Sequence, residues 1–179
     1  VALSTLGGAT FTEGLGLETA RVLALRGARV FGTARTKAKA DDTLRGLAGA
    51  VGFACELAEP ASVRGAVAAI TAALGEAKLD AIVATAGIMA LPKNEQAFGI
   101  DLQLFTNHIG HFILVLGLLD ALADDGRVVM LSSSAHGMAP RGGIEFDNLS
   151  GARDYQPWKQ YGQSKMANLL FAKELARRF

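Results

Sequence analysis

The sequence has little cysteine, little proline and almost no net charge. A single cysteine, Cys55, cannot form an internal disulfide, which excludes a disulfide-stapled secreted scaffold. Four prolines against 21 glycines indicate many tight turns rather than an extended linker. Eighteen basic and seventeen acidic residues leave a net charge of +1, so no general basic field attracts nucleic acid or an anionic membrane.

The 179 residues contain no signal-peptide pattern and no long hydrophobic run. The most apolar stretch, residues 109–123, is only 15 residues long and contains His111 and Asp120, which favours a buried helix over a membrane span. We therefore expect a cytoplasmic protein without a membrane span. The chain starts at Val1 and stops at Phe179 inside a helical pattern, so we expect a fragment of a longer chain.

Strand and helix patterns alternate along the 179 residues, half of which are hydrophobic. Strands are predicted at 1–5, 28–34, 51–56, 80–85 and 127–132, and helices at 15–26, 37–47, 60–74, 95–123 and from Trp158 onwards. Gly99 is a candidate break in the helix predicted at 95–123. Strands that are separated by helical crossovers form a parallel sheet with both faces covered. The prediction is one α/β domain over residues 1–179, a doubly wound parallel sheet with strand order 3-2-1-4-5.

A glycine-rich turn, LGGATFTEGLG at residues 6–16, lies between the first strand and the first helix. At this place in a doubly wound sheet, glycines admit a pyrophosphate and the helix N-terminus supplies free N–H groups. By itself, such a turn is as compatible with a plain loop as with a phosphate-binding site. Arg35 closes the second strand, where an arginine accommodates a 2′-phosphate, so it favours NADP over NAD. The alternative for Arg35 is an ordinary solvated side chain.

Candidate catalytic residues lie in the second half of the chain. In YGQSK, residues 161–165, Tyr161 and Lys165 share one helix face, and the ammonium group would favour the phenolate. Such a tyrosine can exchange a proton near neutral pH, although an ordinary amphipathic helix carries the same pair. The serines of LSSS, 131–134, follow the fifth strand, and Asn107 in TNHIGHF, 106–112, is unfavourable in mid-helix without a specific reason.

These segments together resemble the short-chain dehydrogenase/reductases, most closely the branch of the retinol dehydrogenases and the WW-domain oxidoreductase. The resemblance implies a Rossmann fold and hydride transfer between NADP(H), or NAD(H), and a small-molecule alcohol or carbonyl. It assigns Tyr161 as general acid/base, Lys165 as the residue that lowers its pKa and holds the nicotinamide ribose, Ser133 as the substrate-oxygen ligand and Asn107 as the support of a proton relay. It also implies two further strands beyond residue 179, and a homodimer or homotetramer.

The cofactor side departs from the family pattern. Gly14 and Gly16 fit the glycine turn, but the first glycine is either replaced by Thr10 or is Gly8 in a turn two residues longer, the alignment we prefer. Ala84 and Thr85 replace two asparagines, and Glu56 replaces an aspartate that contacts adenine. By resemblance the cofactor-binding residues are Gly8, Gly14, Leu15, Gly16, Arg35, Glu56, Leu57, Ala86, Gly87, Tyr161 and Lys165.

Two alternative functions remain open. The altered turn and the missing asparagines fit a non-catalytic dinucleotide-binding or interaction protein of the same fold. A nucleotide-sugar epimerase is disfavoured by the Gly14–Leu15–Gly16 spacing. His108 and His111 lie three residues apart, but without a third ligand nearby we expect helix packing and no metal site.

Overall fold

The computed structural model describes residues 1–6 and 14–179. Its main sheet has five parallel strands: β1 (Ala2–Thr5), β2 (Val30–Ala34), β3 (Val51–Ala54), β4 (Leu79–Ala84) and β7 (Leu122–Met130). They are ordered β3-β2-β1-β4-β7, which confirms the predicted order of the five long strands. All four residues of the central strand β1 are buried.

The helices cover both faces of this sheet. They are α1 (Leu15–Leu25), α2 (Lys37–Thr43), α3 (Pro60–Leu74), α4 (Leu102–Leu104), α5 (Gly110–Leu118) and α6 (Pro157–Arg178). Residues of α1 and Leu44, which follows α2, pack with Leu6 and Val30 in a smaller core. Residues of α3, α5 and α6 form the larger core with Leu3 and Ile82. Two apolar layers around one sheet are the doubly wound arrangement that the alternation predicted.

The prediction of a helix at 95–123 was wrong at both ends, although the chain does turn at Gly99, where a break was a candidate. The chain first forms a short hairpin of β5 (Gln96–Ala97) and β6 (Ile100–Asp101), with Gly99 at φ 75° in the turn. The Asp101 carboxylate then accepts from the Leu104 N–H at 3.0 Å and starts α4. At the other end β7 begins at Leu122, five residues before the predicted strand, because an irregularity in its pairing with β4 absorbs extra residues.

A π-helical turn, Phe105–Ile109, joins α4 to α5. Here the Gly110 N–H bonds to the Phe105 carbonyl five residues back, instead of four. The segment Leu102–Ala121 is long and apolar enough to cross a membrane, with mean hydropathy 1.5, but half of it is buried within the fold. Its buried residues include Leu114 and Leu118, and α5 packs against α3.

Candidate functional site

A cavity of about 210 Å³ opens at the carboxyl edge of the sheet. The residues that follow β2, β3 and β4 line it, together with Leu102 and Thr106. Five of the predicted cofactor-binding residues are among them: Arg35, Glu56, Leu57, Ala86 and Gly87. Ligands bind outside the carboxyl ends of strands in open α/β sheets, so this edge is the expected place for a site.

The cavity combines an apolar wall with a charged rim. Arg35 is exposed at the end of β2, where Thr36 caps α2 by accepting from the Lys39 N–H at 3.2 Å. Glu56 accepts from the Ala58 N–H at 3.2 Å, and its own N–H donates to the Ser62 hydroxyl at 2.9 Å. These bonds fix the turn after β3, which ends at Ala54, two residues earlier than predicted. An apolar wall suits a flat base, and a guanidinium at the rim suits a phosphate.

Cys55 lies in the wall of this cavity, just beyond the end of β3. It is buried, and this burial raises the pKa of its thiol to about 12, with a smaller contribution from the nearby Glu56 carboxylate. The thiol therefore stays protonated at neutral pH and acts as a small apolar side chain.

The start of α1 packs directly against the end of β1. A Cβ atom at Gly16 would overlap the Thr5 carbonyl oxygen, so only glycine fits this contact. The Ser4 hydroxyl donates to the Gly16 carbonyl at 3.1 Å. Gly14 is the N-cap residue of α1, and Leu15, the first residue of the helix, is exposed. Of the predicted turn glycines, Gly8 lies outside the described residues.

Gly87 connects the cavity to the predicted catalytic residues. A Cβ atom at this position would lie 2.7 Å from Asn107 Oδ1 and 3.6 Å from Lys165 Nζ. A side chain here would therefore displace Asn107, and glycine is required by space rather than by backbone angle. Gly87 also lines the cavity, so Asn107 and Lys165 lie directly behind this part of the cavity wall.

Asn107 is fully buried in the π-helical turn and all of its side-chain groups are engaged. Its Oδ1 accepts from the Ile88 N–H at 2.8 Å, and its Nδ2 donates to the Ile88 carbonyl at 2.8 Å. Nδ2 also donates to the Ser164 hydroxyl at 2.9 Å, which in turn donates to the Tyr161 carbonyl at 2.7 Å. Asn107 thereby ties the segment after β4 to α6. These bonds are the reason for a polar residue in mid-helix.

Tyr161 and Lys165 lie one turn apart on α6, as predicted. Lys165 Nζ lies 5.6 Å from the centre of the Tyr161 ring and donates to the Leu131 carbonyl at 3.2 Å. The lysine is only 3% exposed, and this burial lowers the pKa of its ammonium group to about 8. Tyr161 is half-buried, with the Trp158 ring edge-on at 6.0 Å. The pair therefore offers a phenol beside an amine that loses its proton close to neutral pH.

The serines after β7 divide into two roles. Ser132 Oγ donates to the Lys165 carbonyl at 2.9 Å and so holds α6. Ser133 is half-buried and its Oγ accepts from the Ala135 N–H at 3.1 Å, which starts a 3₁₀ turn over Ser134–Met138. Its O–H proton can still be donated to a ligand oxygen.

Sequence reasoning missed a set of polar residues behind the site. Thr5 Oγ1 accepts from the Thr85 N–H at 2.8 Å and the Ala86 N–H at 2.9 Å, and Thr85 Oγ1 donates to the Thr5 carbonyl at 2.6 Å. The two threonines thus bind β1 to the segment after β4, where the family pattern has asparagines. Asn168, one turn beyond Lys165, donates to the Leu131 carbonyl at 3.1 Å. The spacing of three residues between Lys165 and Asn168 could have indicated that both side chains lie on the same face of the helix.

The two histidines of TNHIGHF have separate partners. His108 Nδ1 lies 3.2 Å from Asn168 Oδ1, and His111 Nδ1 lies 2.9 Å from the Asn107 carbonyl oxygen. Over residues 1–6 and 14–179, no group of three histidine, cysteine, aspartate or glutamate side chains has metal-binding geometry.

Comparisons with known proteins agree with this geometry. Residues 7–146 match the family described as short chain dehydrogenase. A Streptomyces antibioticus protein named "Probable oxidoreductase" is 43% identical over 169 residues, covering 89% of this chain and 54% of that protein. Mouse retinol dehydrogenase 11 is 36% identical over 173 residues, with 92% and 53% coverage. The chain thus spans about half the length of the curated relatives it matches.

Solved structures show the same fold. A crystal structure of a Mycobacterium paratuberculosis protein superposes with a TM-score of 0.83 at 38% identity, covering 99% of this chain and 61% of the other. A Burkholderia cenocepacia short chain dehydrogenase in complex with NADP superposes with a TM-score of 0.74 at 26% identity, with 99% and 67% coverage. The chain therefore belongs to the short-chain dehydrogenase family of oxidoreductases, in the branch of the retinol dehydrogenases.

Proposed function

We propose that the protein is an NADP(H)-dependent oxidoreductase that interconverts an apolar alcohol and the corresponding carbonyl compound. One observation carries the proposal: Gly87 belongs both to the wall of the cavity and to the contact with Asn107 and Lys165. A dinucleotide in the cavity would reach the buried lysine and the neighbouring tyrosine without crossing any side chain at Gly87. Family membership supports a nicotinamide dinucleotide as the cofactor.

The residues present fit the adenosine half of NADP. Arg35 at the rim would pair with the 2′-phosphate, and the apolar wall beside Glu56 and Leu57 would hold the adenine. Ala86 and Gly87 leave room for the sugar and phosphate backbone to pass. Lys165 would bind the nicotinamide ribose. When bound, NADPH supplies the hydride that reduces the carbonyl carbon.

The proton comes from this chain's own residues. In the reduction, the Tyr161 hydroxyl donates its proton to the carbonyl oxygen of the substrate. The Lys165 ammonium stabilises the resulting phenolate, and its lowered pKa of about 8 lets it release a proton in turn. Ser133 Oγ donates a hydrogen bond to the same substrate oxygen, where negative charge grows. Asn107 holds the segment around Ile88 beside this proton path.

Exposed apolar side chains surround Tyr161 and favour an apolar substrate. Trp158 is 49% exposed and packs edge-on against Tyr161, and Met138 is 56% exposed in the segment against which Gly162 packs. Contact with these side chains would remove apolar surface of an alcohol or aldehyde from water, which favours binding of an apolar substrate.

Two variants test the proposal. NADPH and NADH are titrated against the purified chain by fluorescence, with Arg35→Asp alongside. We expect NADPH to bind more tightly than NADH, and the aspartate to reverse the preference because it repels the 2′-phosphate. Turnover of hexanal or cyclohexanone is then followed at the absorbance of NADPH. Tyr161→Phe should bind NADPH normally but lose about 10²- to 10⁴-fold in kcat.

The other tyrosine supplies the matched control. Tyr155 donates to the Leu91 carbonyl at 2.7 Å and accepts from Gln103 at 3.2 Å, and neither partner belongs to the proposed proton path, so Tyr155→Phe should retain turnover. The proposal fails if neither nucleotide binds, or if Tyr161→Phe turns over as fast as Tyr155→Phe.

A second candidate is a non-catalytic dinucleotide-binding protein. It is favoured by Ala84 and Thr85, which stand where the family pattern has asparagines and which leave the end of β4 held by Thr5. This candidate predicts NADPH binding without turnover of any carbonyl probe, and binding that is indifferent to Tyr161.

A further inference from the structure

His111 is a fully buried titratable side chain that the proposed reaction does not use. It is 0% exposed, and both ring nitrogens have a partner. Nδ1 lies 2.9 Å from the Asn107 carbonyl oxygen, and Nε2 lies 3.3 Å from Thr5 Oγ1. The ring therefore bridges the π-helical turn and the carboxyl end of the central strand.

The hydrogen-bond partners fix the tautomer. A backbone carbonyl can only accept, so Nδ1 must carry the proton, and Nε2 is then an acceptor. Burial, assisted by the Lys165 and His108 charges, lowers the pKa of His111 to about 4, so the ring is neutral across the ordinary working range. The Thr5 hydroxyl already accepts from the Thr85 and Ala86 N–H groups, and its single proton is shared between Nε2 at 3.3 Å and the Val83 carbonyl oxygen at 3.4 Å.

The bridge formed by the His111 ring contacts two segments that border the candidate site. On one side it ends at Thr5, whose hydroxyl holds the backbone immediately before Gly87. On the other side it ends at the backbone of Asn107, whose side chain holds Ile88. Gly87 lies between these anchors, in contact with Asn107. A change in the ring would move Asn107 relative to Gly87 and Lys165.

We propose that His111 is a positioning residue: it holds the backbone of Asn107 against the end of β1 and thereby keeps Asn107 beside Gly87 and Lys165. Its effect on turnover rests on the proposed function, but its effect on Asn107 does not. His111 does not touch the reacting atoms. Its role is distinct from helix packing because it needs one donor and one acceptor at fixed places.

The tautomer is tested first, by long-range proton–nitrogen NMR on the unmodified chain. We expect a protonated Nδ1 and an unprotonated Nε2. A protonated Nε2 without a proton on Nδ1 would overturn the proposal, because the bond to Asn107 could not then exist. This measurement needs neither turnover nor a variant that folds.

Three variants test the positioning itself. His111→Leu removes both hydrogen bonds, His111→Gln retains a donor and an acceptor, and Leu114→Ala weakens the same buried face without touching Asn107. The amide resonances of Ile88 and of the Asn107 side chain should shift in His111→Leu only. If they stay in place in His111→Leu, or shift equally in Leu114→Ala, His111 does not position Asn107.

Kinetics then connect position to reaction. With NADPH and hexanal, kcat of His111→Leu should fall at least about tenfold while KM for NADPH changes less than about twofold, because misplacement of a supporting group affects the reacting geometry more than binding. His111→Gln should recover to within about threefold of the unmodified chain. Unchanged kcat in His111→Leu would overturn the proposal. Absent turnover in the unmodified chain would instead refute the proposed function, and the NMR results would still decide the position of Asn107.

Discussion

Lys165 and Asn168, one helical turn apart on α6, share a single acceptor. Lys165 Nζ and Asn168 Nδ2 donate to the same Leu131 carbonyl, at 3.2 and 3.1 Å. The other end of the Asn168 amide contacts His108 Nδ1. Asn168 therefore limits how strongly this carbonyl can stabilise the buried ammonium group.

Asn168→Asp should raise the pKa of Lys165 above its value of about 8. A carboxylate in place of the amide puts a negative charge beside the ammonium group and favours its charged form, by about one unit or more. The same carboxylate should raise the pKa of His108, which burial lowers. One NMR titration of the lysine and histidine side chains measures both. An unmoved lysine titration would show that residue 168 does not lie close enough to Lys165 for a charge there to act on the ammonium group.

Lys165→Met should stabilise the fold at pH 7. Because burial lowers the pKa of the folded-state ammonium group from 10.5 to about 8, the unfolded chain binds more protons between these values. The free energy of unfolding therefore rises with pH through this window, and the cost of the buried charge is fully present below pH 8. Removal of the charge should add on the order of a few kcal/mol at pH 7.

The control for this variant is Lys173→Met, at an exposed position of the same helix. Thermal unfolding is measured at pH 7 and pH 10.5. The advantage of Lys165→Met should shrink at the higher pH, while Lys173→Met should change little at either. An equal advantage at both pH values would contradict the assignment to a desolvated charge.

Gly87→Ala and Gly65→Ala should change stability in opposite directions. At Gly87 a Cβ atom would lie 2.7 Å from Asn107 Oδ1, so the alanine must displace a buried side chain, at a cost of about 1–3 kcal/mol. Gly65 lies inside α3 with open space around it, so alanine there should stabilise by up to about 1 kcal/mol. Chemical denaturation measures both. Gly87→Ala should also weaken NADPH binding, and a neutral Gly87→Ala would refute the contact.

The apolar surface of α5 and α6 should mediate self-association. Leu116 is 41% exposed on α5 and Leu170 is 47% exposed on α6. Leu116→Glu should convert a homodimer or homotetramer to a monomer, because a two-fold interface would bring two buried carboxylates together. Analytical ultracentrifugation reads the mass. Leu25→Glu, on the opposite face of the sheet, serves as the control, and a monomeric unmodified chain would contradict the prediction.

The sheet was predictable because its signals are local and repeated. Each strand of the main sheet is an apolar run of a few residues that lies next to an amphipathic helix in the sequence. The right-handedness of the crossovers then favours one order of the strands in the sheet. The segment before Asn107 was not predictable in the same way. Its helical periodicity continues through residues 95–101, but the chain turns back at Gly99 and Asp101 caps a later start. Gly99 marked a candidate break, but hydrophobic spacing does not indicate that the residues before it form a hairpin.

At the candidate site, residue types were predictable and their bonds were not. The spacing of Tyr161 and Lys165 puts them on one helix face in any α-helix. By contrast, nothing in LSSS distinguishes Ser132, which binds the Lys165 carbonyl, from Ser133, which caps the next turn. His111 was predicted only as a packing residue, since its contact with Thr5 joins positions that are 106 residues apart in sequence.

The exposure of Arg35 means that the two ends of the cavity differ in how much stability a substitution costs. Its side chain lies at the rim of the cavity, outside the buried cores, so substitutions there carry little stability cost. If Arg35 sets the nucleotide preference as proposed, a single substitution there could change that preference without a stabilising change elsewhere. Gly87 and Asn107 have no such freedom, because a side chain at Gly87 would displace Asn107, and Asn107 holds the adjacent Ile88 backbone. The rim of the cavity can therefore vary at a low cost in stability, whereas its buried end cannot.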